Sequence, residues 1–523
     1  MYDVAIIGGG LAGLTLALQV NQQAPALSIV VLERNALPAP AAAHKVGEAT
    51  VEIGAHYLSH TLGLEAYLEK QQLRKFGLRL FFGAGFHDDL SKADELGASS
   101  LLPAISYQLD RGTLENELAR MLDERGIELR AESVVKKVEI GDETHSLTVL
   151  NNDAEQQVRS RWVVDASARS GVLKRTLGLA QQSNHKMCAA WFRVESDFSV
   201  DEWSESDDWL ARCNGASRRP STNHLMGSGY WIWIIPLAGG RTSIGLVTDP
   251  DMHPLDTYGT FEKMKTWLAQ HQPMLARQLH GVEPLDFLRL RNLSHGCEKL
   301  WSPARWAITG EAGLFADPFY SPGTDFVGLS NTFIADLITR DCPPHELGIR
   351  AAVYEKMYRS FYESTMTLYE GQYAGFGDSR LMAVKLTWDY AYYWSILAWL
   401  FFRDVLTDLN FLRAAQPEIE RIRALNNEVQ AKFRERAKEA IVDEGTGRFF
   451  DQIAIPLLVE LNASLFEPAN DLTMELRHNC ERLDELAPKL LDLLAGKEVG
   501  ECAMLGDLER RIAATERGSQ SPA

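Results

Sequence analysis

A chain of 523 residues is longer than one ordinary core organises, so two or three structural units are expected. Lys and Arg number 53 against 71 Asp and Glu, a formal net charge of -18, which argues against a nucleic-acid or anionic-membrane partner because either needs a basic face. The six cysteines (Cys188, Cys213, Cys297, Cys342, Cys480 and Cys502) are too scattered for a CxxC pair or a Cys/His cluster, so neither a disulfide framework nor a metal site is expected. The opening residues run directly into a strand, leaving no room for a signal peptide. The most apolar window, Tyr390 to Phe402, is bounded by Asp389 and Arg403 and is too short to cross a bilayer, so the expectation is a soluble, cytoplasmic protein.

The apolar run Val4-Ala5-Ile6-Ile7 leads through Gly8-Gly9-Gly10-Leu11-Ala12-Gly13 into the helical Leu14-Thr15-Leu16-Ala17-Leu18. Gly8 and Gly10 permit a sharp turn that brings backbone N–H groups to a pyrophosphate, and Gly13 lets the helix pack closely on the strand. A second apolar run, Leu27 to Leu32, ends in Glu33, where a carboxylate can accept from an adenosine ribose; Ala12 and Arg34 complete the expected nucleotide contacts. A bare G-x-G-x-x-G is weak evidence, but the strand before it, the helix after it and the acid at the right distance favour a dinucleotide site over a plain Gly-rich loop.

Ala36 to Ala43, rich in Pro and Ala, reads as a loop across the nucleotide. In Lys45-Val46-Gly47-Glu48-Ala49-Thr50, Gly47 and Glu48 would bring the backbone close to a planar ligand such as an isoalloxazine ring, and Thr50 could cap a helix from Val51 to Leu58. A plain capped helix start is the equal alternative. Leu73 to Phe82 alternates like a strand, with Phe76, Leu78, Leu80 and Phe82 on one face and Lys75, Arg79 and Phe81 on the other; by default such a lysine is a solvated surface charge. Arg111 precedes the helical run Leu114-Leu118-Leu122 and could reach nucleotide phosphates or ribose, and the buried strand Trp162 to Val164 ends in Asp165.

From about Met187 to Thr248 the pattern is strand-like, interrupted by Asp197 to Asn223, a polar loop or lid. Within Trp231-Ile232-Trp233-Ile234-Ile235-Pro236, Trp231, Trp233 and Ile235 share one strand face, so the two indoles form a rigid wall, or else simply core. Trp306 to Gly313 is another strand and small-residue turn, in which Gly310 and Glu311 could meet a ribityl hydroxyl. Phe315 to Phe326 is stiffened by Pro318 and Pro322 and freed at Gly323. The amides near Gly323 and Thr324, ahead of a helix over Phe326 to Thr339, read as an anion pocket or merely as the cap of that helix. Beyond Pro343 the patterns are helical: Tyr354 to Tyr369, Arg380 to Asn410, Pro417 to Ala440 and Asp471 to Leu494. Trp388 to Phe402 is expected as core or substrate wall, Tyr373 to Gly377 as a flexible turn, and the tail after Arg517 as disordered.

Taken together, these segments resemble the flavin-dependent halogenases, within the flavoprotein monooxygenases. The family's W-x-W-x-I-P stands here as Trp231, Trp233, Ile235 and Pro236, and its F-x-x-P-x-x-S-x-G as Phe315, Pro318, Ser321 and Gly323. The fold implied is α/β, a Rossmann-like FAD-binding domain with an inserted β-sheet substrate domain, as in p-hydroxybenzoate hydroxylase, plus a C-terminal α-helical region. Residues 1–340 would form the FAD module, with FAD-binding segments near 1–60, 105–180 and 295–340 and substrate-side segments near 61–104 and 181–294; residues 341–523 would form the helical region.

The resemblance implies that reduced FAD, supplied by a separate flavin reductase, reacts with dioxygen to a flavin hydroperoxide. Halide held near Gly323 and Thr324 would attack it to give hypohalous acid. Lys75, followed by Phe76-Gly77, is the position that looks like the family's essential lysine and would hold or carry the electrophilic halogen. Trp231, Trp233, Pro236, Phe315, Pro318 and Ser321 would wall the flavin side and hinder direct oxygen transfer. There are departures. Enzymes acting on free tryptophan carry a glutamate where this chain has Tyr320, which points to a phenol or pyrrole, free or tethered to a carrier protein. Glu311 replaces the usual aspartate, and Asp325 would weaken halide binding if it points inward. A flavin monooxygenase on the same scaffold and a non-catalytic flavin-binding protein are the alternatives; a halogenase needs both Lys75 and the anion pocket.

Overall fold

The computed structural model describes residues 1–40, 46–152, 154–340, 342–469, 471–500 and 502–513. Lys45, the end of the Pro/Ala loop and the tail after Arg517 lie outside the described residues.

The first sheet grows around Tyr2–Ile7, which pairs in parallel with Ile29–Leu32 on one side and Ala154–Asp165 on the other; Glu128–Arg130 and Trp306–Ile308 extend it in parallel. Val4, Ala5 and Ile6 are fully buried, as are Val30 and Val31, the pattern of strands covered on both faces. Ile7 is in register with both Leu32 and Asp165, and Asp165 with Ile308, so the carboxyl ends of the strands line one crevice, where open α/β sheets bind ligands. The helix Leu11–Gln23 follows the first strand directly. A Cβ on Gly13 would stand 2.0 Å from the Gly8 carbonyl oxygen, so only glycine allows this turn to close.

The second sheet runs in the order Asp286–Leu290, Cys188–Val194, Arg241–Thr248, Tyr230–Leu237, Thr222–Gly227, Leu78–Phe82, Asp94–Gly97 and Phe449–Asp451. Its pleat divides the interior as the alternation predicts. Trp231, Trp233 and Ile235 enter the large core shared with the first sheet, while Ile232 and Ile234 enter a smaller one with Phe192, Trp209 and Trp267. Gly245, opposite Trp233 in register, leaves room for that indole: a Cβ there would lie 2.1 Å from its ring.

The C-terminal helices include Pro344–Met366, Ser379–Tyr392, Leu409–Ala437 and Leu472–Leu494. Asp378, Asp408 and Asp471 each cap the start of a helix with a carboxylate that accepts two backbone N–H groups, as the local sequence dictates. This region also gives the second sheet its edge strand, Phe449–Asp451, an addition to the all-helical expectation. The stretch expected as a loop or lid, 197–223, carries the short helices Val200–Trp203 and Asp207–Ala211, with Trp203 and Trp209 buried. Tyr373–Gly377, expected as a flexible turn, is a packed 3-10 turn with Tyr373 and Phe376 buried.

Candidate active site

At the crevice, Gly8 has φ +108° and a Cβ there would strike the Ala166 carbonyl at 2.5 Å, whereas a Cβ on Gly10 would meet nothing within 4 Å. The helix Leu11–Gln23 begins at Gly10, which offers no side-chain cap, and its first N–H, of Leu11, donates to Glu115 Oε1 (3.2 Å). Gly310 (φ +57°) approaches Ala12, with a Cβ 3.0 Å from that methyl. Arg111 stands over the same crevice: its guanidinium donates to the Val46 carbonyl (2.8 Å) and pairs with Glu115 (2.6 Å), while its Nε is buried without a partner. Burial pulls the Arg111 pKa down to about 10, against the pull of Glu311 and Glu48. A Gly-lined opening at a helix start and a buried orphan donor fit a dinucleotide pyrophosphate.

Other expected cofactor residues are placed beside this crevice by their own partners. Glu33 accepts from the Gly9 N–H (2.7 Å) and from Asn35, and the exposed Arg34 donates to Ser170 (3.1 Å). Asp165 accepts from Ser167 and from the Leu173 N–H (2.7 Å), shaping the turn rather than offering a free carboxylate. Glu311 lies 3.6 Å from Arg169, whose guanidinium covers the Phe315 ring. Glu48 is buried and pairs with Arg193 (2.6 Å), which also pairs with Asp286, so Glu48 ties the nucleotide side to the second sheet. Arg193 carried no local sequence signal.

From there one short segment leads inward. Val46 receives Arg111, Gly47 (φ +87°) turns the chain beside it, Glu48 meets Arg193, and the Thr50 carbonyl accepts from Lys75 Nζ (2.9 Å). Lys75 is only 3 % exposed, contrary to the surface charge expected by default. It lies in the turn between Leu73–Arg74 and Leu78–Phe82, where its own N–H donates to the Ser106 carbonyl (2.8 Å) and Gly77 takes φ +70°. Burial lowers its pKa to about 8, opposed by Glu52 and Asp325, so neutral amine is accessible near neutral pH. His224, on the neighbouring strand, is held neutral, its pKa near 3, by burial and by the Lys75 charge.

Glu52 and Asp325 line a cavity with about 690 Å³ of space free of protein atoms, part of it open to solvent. Tyr320, Tyr369, Tyr390 and Tyr393 supply much of its wall. Asp325 points inward: its carboxylate accepts from the Gly54 N–H (2.7 Å) and from the Tyr393 hydroxyl (2.7 Å). Burial raises its pKa to about 8, which removes most of the negative charge that Asp325 would otherwise set near Gly323 and Thr324. Thr324 is buried, and Gly323 is exposed at the first residue of the helix Gly323–Thr339, where a Cβ would meet nothing.

The two discriminating motifs meet in space. Phe319 sits edge-on to Trp231 at 5.2 Å, and Trp231 is 5.8 Å from Trp233. Trp231 Nε1 donates to the Tyr373 hydroxyl (2.9 Å), which donates to Asp317 (2.7 Å), and His185 also bonds that carboxylate (2.7 Å). Trp233 Nε1 donates to Ser243 (3.2 Å), and Pro236 lies on the same strand, opposite Thr242. The Pro318 carbonyl accepts from the Ser321 N–H (2.9 Å) in a turn where Tyr320 and Ser321 both take left-handed φ, +70° and +59°. The Tyr320 hydroxyl anchors this uncommon pair by donating to Asp389 (2.8 Å).

Fold and crevice define an FAD-binding oxidoreductase. The FAD binding domain family matches residues 1–240. A flavin-dependent halogenase, chlA, of Dictyostelium discoideum is 26% identical over 435 residues, spanning 76% of this chain and 70% of that protein. A 1H-pyrrole-2-carbonyl peptidyl-carrier-protein chlorinase of Pseudomonas fluorescens is 26% identical over 367 residues, 64% of this chain and 74% of its own. Among solved structures, the halogenase PltM superposes with a TM-score of 0.65 at 16% identity over 94% of this chain and 96% of its own, a likeness of fold. The chain is thus similar, over most of its length, to proteins named flavin-dependent halogenases, and FAD is its cofactor. No helix among the described residues is long and apolar enough to cross a membrane.

Proposed function

We propose that this enzyme chlorinates or brominates an electron-rich aromatic ring, a phenol or a pyrrole, through hypohalous acid and Lys75. The observation that carries the reading is a buried amine, held by the Thr50 carbonyl, whose charge is felt by Glu52 and Asp325, two of the carboxyls lining an aromatic-walled cavity. FAD supplies the oxidising chemistry that raises halide to the electrophilic level. Gly8, Gly10, Gly13 and Arg111 would hold its dinucleotide portion, and Gly310 would give it close backbone approach. Lys75, largely shielded from water, takes the electrophilic halogen on its nitrogen and presents it to the ring. Halide rests near the Gly323 and Thr324 amides. Trp231, Trp233, Phe315, Pro318 and Ser321 keep the oxidant from the ring; in a hydroxylase this wall would have no such role.

The carrier-protein chlorinase among the relatives supports a tethered pyrrole as one form of acceptor, and the tyrosine-rich wall accommodates a planar ring of either kind. With one FAD binding domain matched, over residues 1–240, the reduced flavin is assigned to a separate reductase. The test is incubation with reduced FAD, dioxygen, halide and a panel of free and carrier-bound phenols and pyrroles, read by product mass. Halogenated product is expected, and oxygenated product alone would assign the chain to ring hydroxylation.

A further inference from the structure

Replacing a ring hydrogen by halogen releases a proton, and a cavity walled mainly by aromatic and aliphatic side chains needs a group to receive it. Three carboxyls line this cavity: Asp325, Asp389 and Glu52. Asp325 is occupied by the Gly54 N–H and the Tyr393 hydroxyl. Asp389 is occupied by the Tyr320 hydroxyl (2.8 Å), the Gln430 amide (2.7 Å) and the Lys385 ammonium (2.9 Å). Glu52 differs. It lies in the first turn of Glu52–His56, between Thr50, whose carbonyl accepts from Lys75, and Gly54, whose N–H donates to Asp325, and it is half-buried on the cavity lining. Its neighbours are the charge of Lys75 and the Trp394 indole N–H, a buried donor with no other partner. Burial raises its pKa, which gives its carboxylate more basicity than an exposed one has.

We propose that Glu52 is the general base of the halogenation, taking the proton that the ring loses. The proposal rests on the role given to Lys75 above. A ring π pair forms the carbon–halogen bond as the nitrogen–halogen bond at Lys75 breaks, its electron pair returning to the nitrogen. The ring C–H bond then breaks, its pair restores aromaticity, and the proton passes to a Glu52 carboxylate oxygen. Carbon is oxidised by two electrons and the halogen is reduced from +1 to -1, the oxidised halogen being what the function proposed above supplies at Lys75. Amine and carboxylate are thus brought to one segment, Thr50 holding the Lys75 amine and Glu52, two residues on, carrying the carboxylate.

The test compares single-turnover halogenation of resorcinol and ring-deuterated resorcinol by the wild-type enzyme, Glu52→Gln and Glu52→Asp, with bound FAD measured in each sample. Wild-type turnover should show an isotope effect near unity, because proton loss is fast. Glu52→Gln should bind FAD normally, halogenate about 10²-fold or more slowly, and show a primary isotope effect, because C–H cleavage has become limiting. Glu52→Asp, which keeps a base, should recover part of the rate. A Glu52→Gln enzyme that turns over at the wild-type rate, or is slowed with no isotope effect, overturns the assignment; a folding defect would show as lost FAD and would leave Glu52→Asp to decide by the same two criteria. Failure of the underlying reading looks different: no halogenated product from the wild type, or full activity in Lys75→Ala.

Discussion

At the nucleotide end, the positions that matter (Gly8, Gly10, Gly13 and Glu33) fall within one strand, turn, helix and strand, and each works through backbone that its own neighbours shape. At the cavity end, Glu52, Asp325 and the neighbouring Asp389 and Tyr393 come from three separate segments that meet at one cavity, and the buried Lys75 is close enough to feel the charge of Glu52 and Asp325. The first site is a local geometry that tolerates water until a ligand arrives. The second is an electrostatic balance set by burial, where one amine is shared between carboxyls that desolvation has made weaker acids.

Two glycines three residues apart break this comparison most sharply. Gly10→Val places its side chain in the open crevice, at a backbone conformation (φ -88°) that any residue accepts, so a folded protein that purifies without flavin colour is expected. A fully yellow mutant would contradict the cofactor geometry. Gly13→Ala sets its methyl 2.0 Å from the Gly8 carbonyl, so here stability itself should fall, by more than about 1–3 kcal/mol, read by thermal unfolding of both variants.

The same contrast decides what could be read from sequence. Periodicity and turn chemistry were enough for the parallel sheet, the glycine turn and the Trp231/Trp233 face, because short-range sterics determine them. Lys75 was legible only through family resemblance; by residue type alone it belonged at the surface, and its burial follows from the Ser106 and Thr50 carbonyls that hold its backbone and its amine. Glu52, Asp389, Tyr393 and Arg193 gave no motif, since a tyrosine or acid within a helical stretch looks the same whether it faces solvent or a cavity. The one available hint was a second carboxylate, Glu52, four residues beyond Glu48 in an otherwise ligand-like segment. Tyr373–Gly377 misled because glycines that permit flexibility also permit close packing; a Cβ on Gly377 would lie 2.8 Å from the Ser228 nitrogen.

Next in size is a pH effect confined to the cavity end. With its pKa raised to about 8, Asp325 keeps a proton in the folded state that the unfolded chain releases above the ordinary carboxylate range, so this group's contribution to stability falls as pH rises from about 4 to about 8. Lys75, lowered to about 8, acts in the opposite sense above that pH: the unfolded chain keeps a proton that the folded state lacks, so stability rises toward the ordinary lysine range. Asp325→Asn should therefore flatten part of the decline in thermal midpoint between pH 5 and pH 8, with Glu52 accounting for a remaining slope in the same direction. An unchanged profile would contradict the burial argument. The smallest effect is expected at the join between the regions: Trp231→Phe loses the Nε1 bond to Tyr373 while the Tyr373–Asp317 bond survives, so a stability loss of about 1 kcal/mol is expected from denaturant unfolding.

The most direct measurement pairs two readouts on one sample of Lys75→Ala: bound FAD from its absorbance, and halogenated product from the phenol and pyrrole panel by mass. A buried amine that hands halogen to a ring predicts full FAD occupancy with halogenated product below detection. Wild-type levels of chlorinated or brominated product from a fully loaded Lys75→Ala enzyme would contradict it.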